Sequence, residues 1–69
     1  MLRFLWHPSP GDEVLVTDDY LVIRNRTSKN IKGQRGVIIS EARKGVYRTD
    51  FGPIGVVSCP REVLSRVKE

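Results

Sequence analysis

Apolar and polar residues alternate in steps of two along most of the chain, the period of half-buried strands. After Pro10 and Gly11, "DEVLVT" sets Val14 and Val16 on one face and Glu13, Leu15 and Thr17 on the other. "YLVIR", Tyr20 to Arg24, is a second apolar run, read as a strand or as an ordered part of a long loop. "NRTSKN", Asn25 to Asn30, is polar and reads as loop. "VIIS", Val37 to Ser40, reads as a strand with Val37 and Ile39 sharing a face, and "EARKG" as the hairpin loop after it. In "VYRTDF" the residues Tyr47, Thr49 and Phe51 face one way, and Val46, Arg48 and Asp50 the other. Gly52 and Pro53 make a turn before the strand "IGVVSC". Pro60 suits the first turn of a helix, so "PREVL" predicts one short turn of 3₁₀ type. "SRVKE" is a last short strand or tail.

Five or six short strands with turn residues between them, and no sustained helical period, predict an all-β fold in the form of a small barrel or sandwich. The expected inward residues are Val14, Val16, Val37, Ile39, Tyr47, Phe51, Val57 and Leu64. Residues 1–10 form an N-terminal arm and residues 11–69 the barrel. In the arm, Leu2, Phe4, Leu5 and Trp6 are costly to expose. They cover an open end of the barrel, the favoured reading, or they form a partner surface centred on Phe4 and Trp6.

Size limits the chemistry. A chain of 69 residues is one domain, with little room for both a core and a deep catalytic cleft. No apolar run reaches the roughly 20 residues that span a bilayer, and "MLRFLWHPSP" is too short and too polar for a secretory signal. A cytoplasmic location without membrane insertion is expected. Cys59, the one cysteine, closes an apolar run and reads as a small core residue rather than a reactive thiol. His7 stands alone. Asp12, Glu13, Asp18 and Asp19 sit in turn-like positions without a basic or nucleophilic neighbour. No catalytic residue, metal ligand or cofactor is therefore expected, and the chain reads as a non-enzyme.

Charge adds a direction. Twelve Lys and Arg stand against eight Asp and Glu, and the excess is local. From Tyr20 to Ser40 the chain carries Arg24, Arg26, Lys29, Lys32 and Arg35 and no acid. "KGQRG", Lys32 to Gly36, anchors this segment. Gly33 suits a tight turn, and Gly36 can open the next strand where a side chain would clash. The turn's backbone N–H groups are expected to face outward, where they could meet a phosphate or a carboxylate. Walker spacing is absent, so it is not a P-loop.

"GDEVLV", "KGQRGVI" and "GVYRTDF" together resemble the KOW motif and the wider family of SH3-like barrels. "VVSCPREVL" is similar to the end of such barrels, where a strand leads into one helical turn. The resemblance spans roughly Gly11 to Val67. It departs from a compact KOW motif in the longer gap that holds "YLVIR", and the arm has no counterpart. It implies a small SH3-like barrel and no chemistry. KOW domains in ribosomal proteins and transcription elongation factors contact RNA or polymerase. Similar barrels serve as the basic accessory subunit of photosystem I and as the variable chain of ferredoxin–thioredoxin reductase, and both dock on larger proteins. A plasmid-borne dihydrofolate reductase also uses the barrel, but its active-site motif has no match here.

Two functions stay open. In the first, Arg24, Arg26, Lys29, Lys32 and Arg35 contact the phosphates of a nucleic acid, RNA favoured. Tyr20 offers a ring for stacking, and Arg48 extends the patch. In the second, the chain is an accessory subunit of a larger protein complex. A free strand edge could accept a partner strand or a second copy, giving a homodimer.

Overall fold

The computed structural model describes residues 7–67. Seven strands run in chain order: β1 (Glu13–Val16), β2 (Leu21–Arg24), β3 (Thr27–Asn30), β4 (Arg35–Arg43), β5 (Val46–Asp50), β6 (Val56–Pro60) and β7 (Leu64–Arg66). No α-helix occurs among the described residues; 3₁₀ turns stand at Gly52–Ile54 and Arg61–Val63. The second is the turn that Pro60 predicts. The first replaces the simple turn expected at Gly52 and Pro53.

Among the described residues the main sheet has the order β6-β5-β4-β1-β7 with all its pairings antiparallel, and β2 pairs with β3 as a separate antiparallel hairpin. The sheet is open, with β6 and β7 as its edges, so the all-β class expected from the sequence is present while the sheets do not close into a barrel. β4 reaches both neighbours by bending. Its pairing with β5 slips between Ile38 and Ser40 and again between Glu41 and Arg43, and such bulges bend a strand and raise its twist.

The core lies on one face of the main sheet. Val14, Val16, Ile31, Ile38, Tyr47, Phe51, Val57, Cys59 and Leu64 are buried there, with Tyr20, Val22, Ile54 and Val63 packed against them. Thr49 is the one buried polar residue among those described, and its hydroxyl donates to the Tyr47 carbonyl at 3.3 Å. The alternation read in β1 and β5 is thus correct, and so is the inward placement of Val57 in β6.

In β4 the phase is inverted. Ile38 is buried, whereas Val37 and Ile39 are each 44% exposed. Gly36 explains the shift, because it is itself an inward position and sits opposite Val14. A Cβ there would lie 2.7 Å from Thr49 Cγ2, 2.8 Å from Phe51 Cδ1 and 2.9 Å from the Asp50 carbonyl oxygen. Only a residue without a side chain lets β5 and Phe51 approach so closely. With Gly36 inward, strand parity puts Ile38 inward too.

"NRTSKN" is also corrected, for it is half hairpin. Asn25 (φ 49°) and Arg26 (φ 66°) form a two-residue turn with both φ positive, and Thr27 to Asn30 return as β3. Positive φ at both central positions defines the turn type whose twist suits a hairpin. "EARKG" shortens likewise, since β4 runs to Arg43 and leaves Lys44 and Gly45 as the turn.

Cys59 is fully buried, and burial pushes its thiol up to about 11. The folded thiol therefore stays protonated while an unfolded one ionises above its ordinary 9.0. Stability from this group is present below that value and is lost as pH rises towards about 11. At neutral pH the native protein should resist an aromatic disulfide reagent and react fully once denatured. Rapid stoichiometric labelling of the native protein would contradict this burial.

Candidate docking hairpin

The basic segment separates into working parts. Gly33 (φ 88°) and Lys32 form a tight turn closed by the Gln34 N–H donating to the Ile31 carbonyl at 3.0 Å. The Gly33 N–H donates to the Val16 carbonyl at 2.8 Å, and the Lys32 N–H to Asn30 Oδ1 at 3.0 Å. The turn's N–H groups are thus spent inside the fold, contrary to the outward cradle expected. Fully buried Ile31 pins the turn to the core, a role unmarked in the sequence because Ile31 stands alone among polar residues.

Arg35 is not uncompensated, for its Nη1 lies 3.8 Å from Glu13 Oε2 across the β1–β4 pair. Arg24 is committed as well. Its Nη2 donates to the Val56 carbonyl at 2.7 Å, and its guanidinium lies against Gly55. The Tyr20 hydroxyl donates to the Ser58 carbonyl at 2.9 Å. Burial, and secondarily the neighbouring Cys59, hold that hydroxyl above its ordinary range, so it remains a donor. Its ring packs against the core and is not a free stacking platform.

These two bonds fix the hairpin to an edge. The Gly55 carbonyl accepts from the Phe51 N–H, so by strand alternation Val56 and Ser58 turn their backbone groups away from β5. Arg24 and Tyr20 fill that free edge of β6, one way a fold blunts an edge strand. The hairpin base is held by Asn30, whose Oδ1 accepts from the Tyr20 N–H at 3.1 Å and whose Nδ2 donates to Asp19 Oδ1 at 3.0 Å. Asp12 Oδ2 accepts from the Ser9 N–H at 2.9 Å. The N-terminal carboxylates Asp12, Glu13 and Asp19 thus serve the fold.

Arg26, Lys29 and Lys32 pair with no described carboxylate. Arg26 holds positive φ, a conformation that disfavours a residue with a side chain by about 1 kcal/mol. Arg48 belongs elsewhere, on the outer face of the main sheet, its Nη1 3.5 Å from Ser40 Oγ. It does not extend the hairpin's charge. Phe4 and Trp6 lie outside the described residues.

An apolar face completes the hairpin, and the sequence reading missed it. Val22 turns to the core, so Leu21 and Ile23 point away, at 63% and 74% exposed. The signal was the strict alternation within "LVIR" once it is paired as a strand. A concavity of about 340 Å³ lies elsewhere, lined by His7, Glu41, Lys44, Gly45, Tyr47, Arg61 and Glu62. Its polar groups bond internally: Glu41 Oε2 accepts from the Gly45 N–H at 3.3 Å, and His7 Nδ1 lies 3.3 Å from Arg61 Nη1. Among the described residues no three His, Cys, Asp or Glu side chains gather as metal ligands would, and no helix is long and apolar enough to cross a membrane.

No family model, curated protein or solved structure matches this chain.

Proposed function

We propose that this chain is a non-enzymatic binding module that docks on an acidic face of a larger protein through the β2–β3 hairpin. The observation that carries the reading is the exposure of Leu21 and Ile23 on a hairpin whose charged residues, Arg24, Arg26 and Lys29, are all cationic. Isolated exposed apolar residues are ordinary; a pair on one face of a hairpin that carries only cationic charge fits a partner surface. The strained placement of Arg26 supports it, since strain at an exposed tip persists where something uses it. The strand order and the KOW-like motifs support reading the fold as an SH3-like barrel left open, and a cytoplasmic accessory subunit fits that reading.

A second reading is contact with RNA or a nucleic-acid machine, favoured by the cations Arg26, Lys29 and Lys32, which pair with no described carboxylate. It is the weaker one, because Arg35 is paired with Glu13 and the Tyr20 ring is packed against the core rather than free to stack.

Changing Leu21 and Ile23 together to Ser should leave stability within about 0.5 kcal/mol, as for exposed positions generally. It should cut capture of a single partner species from nuclease-treated host extract at least about tenfold, since each aliphatic side chain contributes roughly 1.5–3 kcal/mol when fully buried. Equal capture would overturn the docking reading. Binding of single-stranded RNA with a salt slope of about −0.7 per contacted phosphate, lost on changing Arg26, Lys29 and Lys32 to Ala, would establish the second reading instead.

A further inference from the structure

The hairpin's opposite face forms a groove against the first 3₁₀ turn. Val22, Arg24, Thr27 and Lys29 line one side and Pro53 and Ile54 the other, around about 280 Å³. Its floor is apolar, for Val22 and Ile54 are half-buried and continuous with the core. Its rim is cationic. Arg24 is held in place by its bond to the Val56 carbonyl, and Lys29, directly across the ladder from Val22, pairs with no described carboxylate. No acidic and no aromatic residue lines it.

Each feature narrows the ligand. The volume lies just below the roughly 300–1,000 Å³ of sites for drug-sized molecules, so it suits one side chain or two. The missing ring removes the platform a nucleobase would stack on. Uncompensated cations beside an aliphatic floor complement a carboxylate beside an aliphatic group. Spacing adds a register. The rows Val22/Lys29 and Arg24/Thr27 are two residues apart, the interval at which an extended chain repeats one face.

We propose that this groove takes an extended segment of the partner protein in which an aliphatic residue is followed two positions later by Asp or Glu. The aliphatic side chain rests on Val22 and Ile54, and the carboxylate, one row along, meets the Arg24 guanidinium and takes the long Lys29 side chain from the diagonal position. This rests on the docking reading and gives the partner's chemistry.

The test is an amide-resolved magnetic resonance titration of the full chain with acetyl-Gly-Leu-Ser-Glu-Gly-amide. Shifts confined to Val22, Arg24, Thr27, Lys29, Ile54 and Gly55 are expected, and replacing the peptide's Glu by Gln should weaken binding roughly 3- to 5-fold. Lys29→Glu, an exposed change that leaves the fold intact, should abolish binding of the Glu peptide and admit its Lys counterpart. Equal response to the Gln peptide, shifts away from the groove, or an oligouridylate that moves the groove amides at lower concentration would each overturn the proposal. The two inferences fail separately. Leu21→Ser with Ile23→Ser alters the hairpin's other face, so it should leave peptide binding unchanged. If it abolishes partner capture while no peptide binds, the groove proposal alone falls. If peptide binds while capture survives the double variant, the groove stands and the role of the outer face falls.

Discussion

Gly36→Val should cost the fold about 3 kcal/mol or more, the largest effect expected of any exchange considered. A side chain at this position meets Thr49 Cγ2, Phe51 Cδ1 and the Asp50 carbonyl oxygen, all within 3 Å of its first carbon. Two of these neighbours are buried and the third is backbone. Thr49 and Phe51 have no room to rotate, and Asp50 pairs with both Val37 and Val56. Relief therefore requires β5 to move off β4, which loosens the centre of the main sheet. Overpacking typically costs about 1–3 kcal/mol, more where the neighbour is fixed. A domain of this length holds only about 3–10 kcal/mol in total. Each lost kcal/mol lowers the melting temperature by roughly 4–8 °C at this size, so thermal unfolding followed by circular dichroism should show a fall beyond about 10 °C. An unchanged melting temperature would mean that Gly36 is not an inward position. Ala should follow the same direction with a smaller loss, since its single carbon meets the same three atoms.

Gly36 also shows where the sequence was legible and where it was not. In "VYRTDF" the polar Arg48 and Asp50 separate the inward residues and fix the phase of β5, and in "EVLVT" the flanking Glu13 and Thr17 mark the outward face of β1. In "GVIIS" three branched residues stand in a row and carry no phase of their own. The glycine before them reads as a strand boundary, although it is the inward residue that sets the register. The hairpin was hidden for a related reason. Asn-Gly would have announced a two-residue turn, whereas Asn25-Arg26 announces little, and the exposed "TSKN" has no apolar period. The basic segment was legible as composition only. Which cations are spent depends on partners distant in sequence, Glu13 for Arg35 and Val56 for Arg24, and no local pattern marks such pairs.

The second large effect concerns the edge that the hairpin guards. Tyr20→Phe removes a hydroxyl bound to the Ser58 carbonyl, and Arg24→Ala removes a guanidinium bound to the Val56 carbonyl. Each hydrogen bond contributes about 0.5–1.5 kcal/mol, and one to a charged group about 1.5–3 kcal/mol. Together the changes should destabilise by roughly 2–4 kcal/mol, which thermal unfolding measures. A further consequence separates edge protection from ordinary bond loss. With both side chains gone, the outward backbone groups of Val56 and Ser58 are free to pair with another strand. The double variant should therefore self-associate with rising concentration in sedimentation equilibrium, under conditions where the wild type's state does not change. Introducing Lys at Val56, an exposed position on β6, should suppress that association without restoring the lost stability, because a charged edge repels its own copy. A double variant that loses stability and yet keeps the wild-type association state would show that Arg24 and Tyr20 anchor the hairpin without protecting the edge.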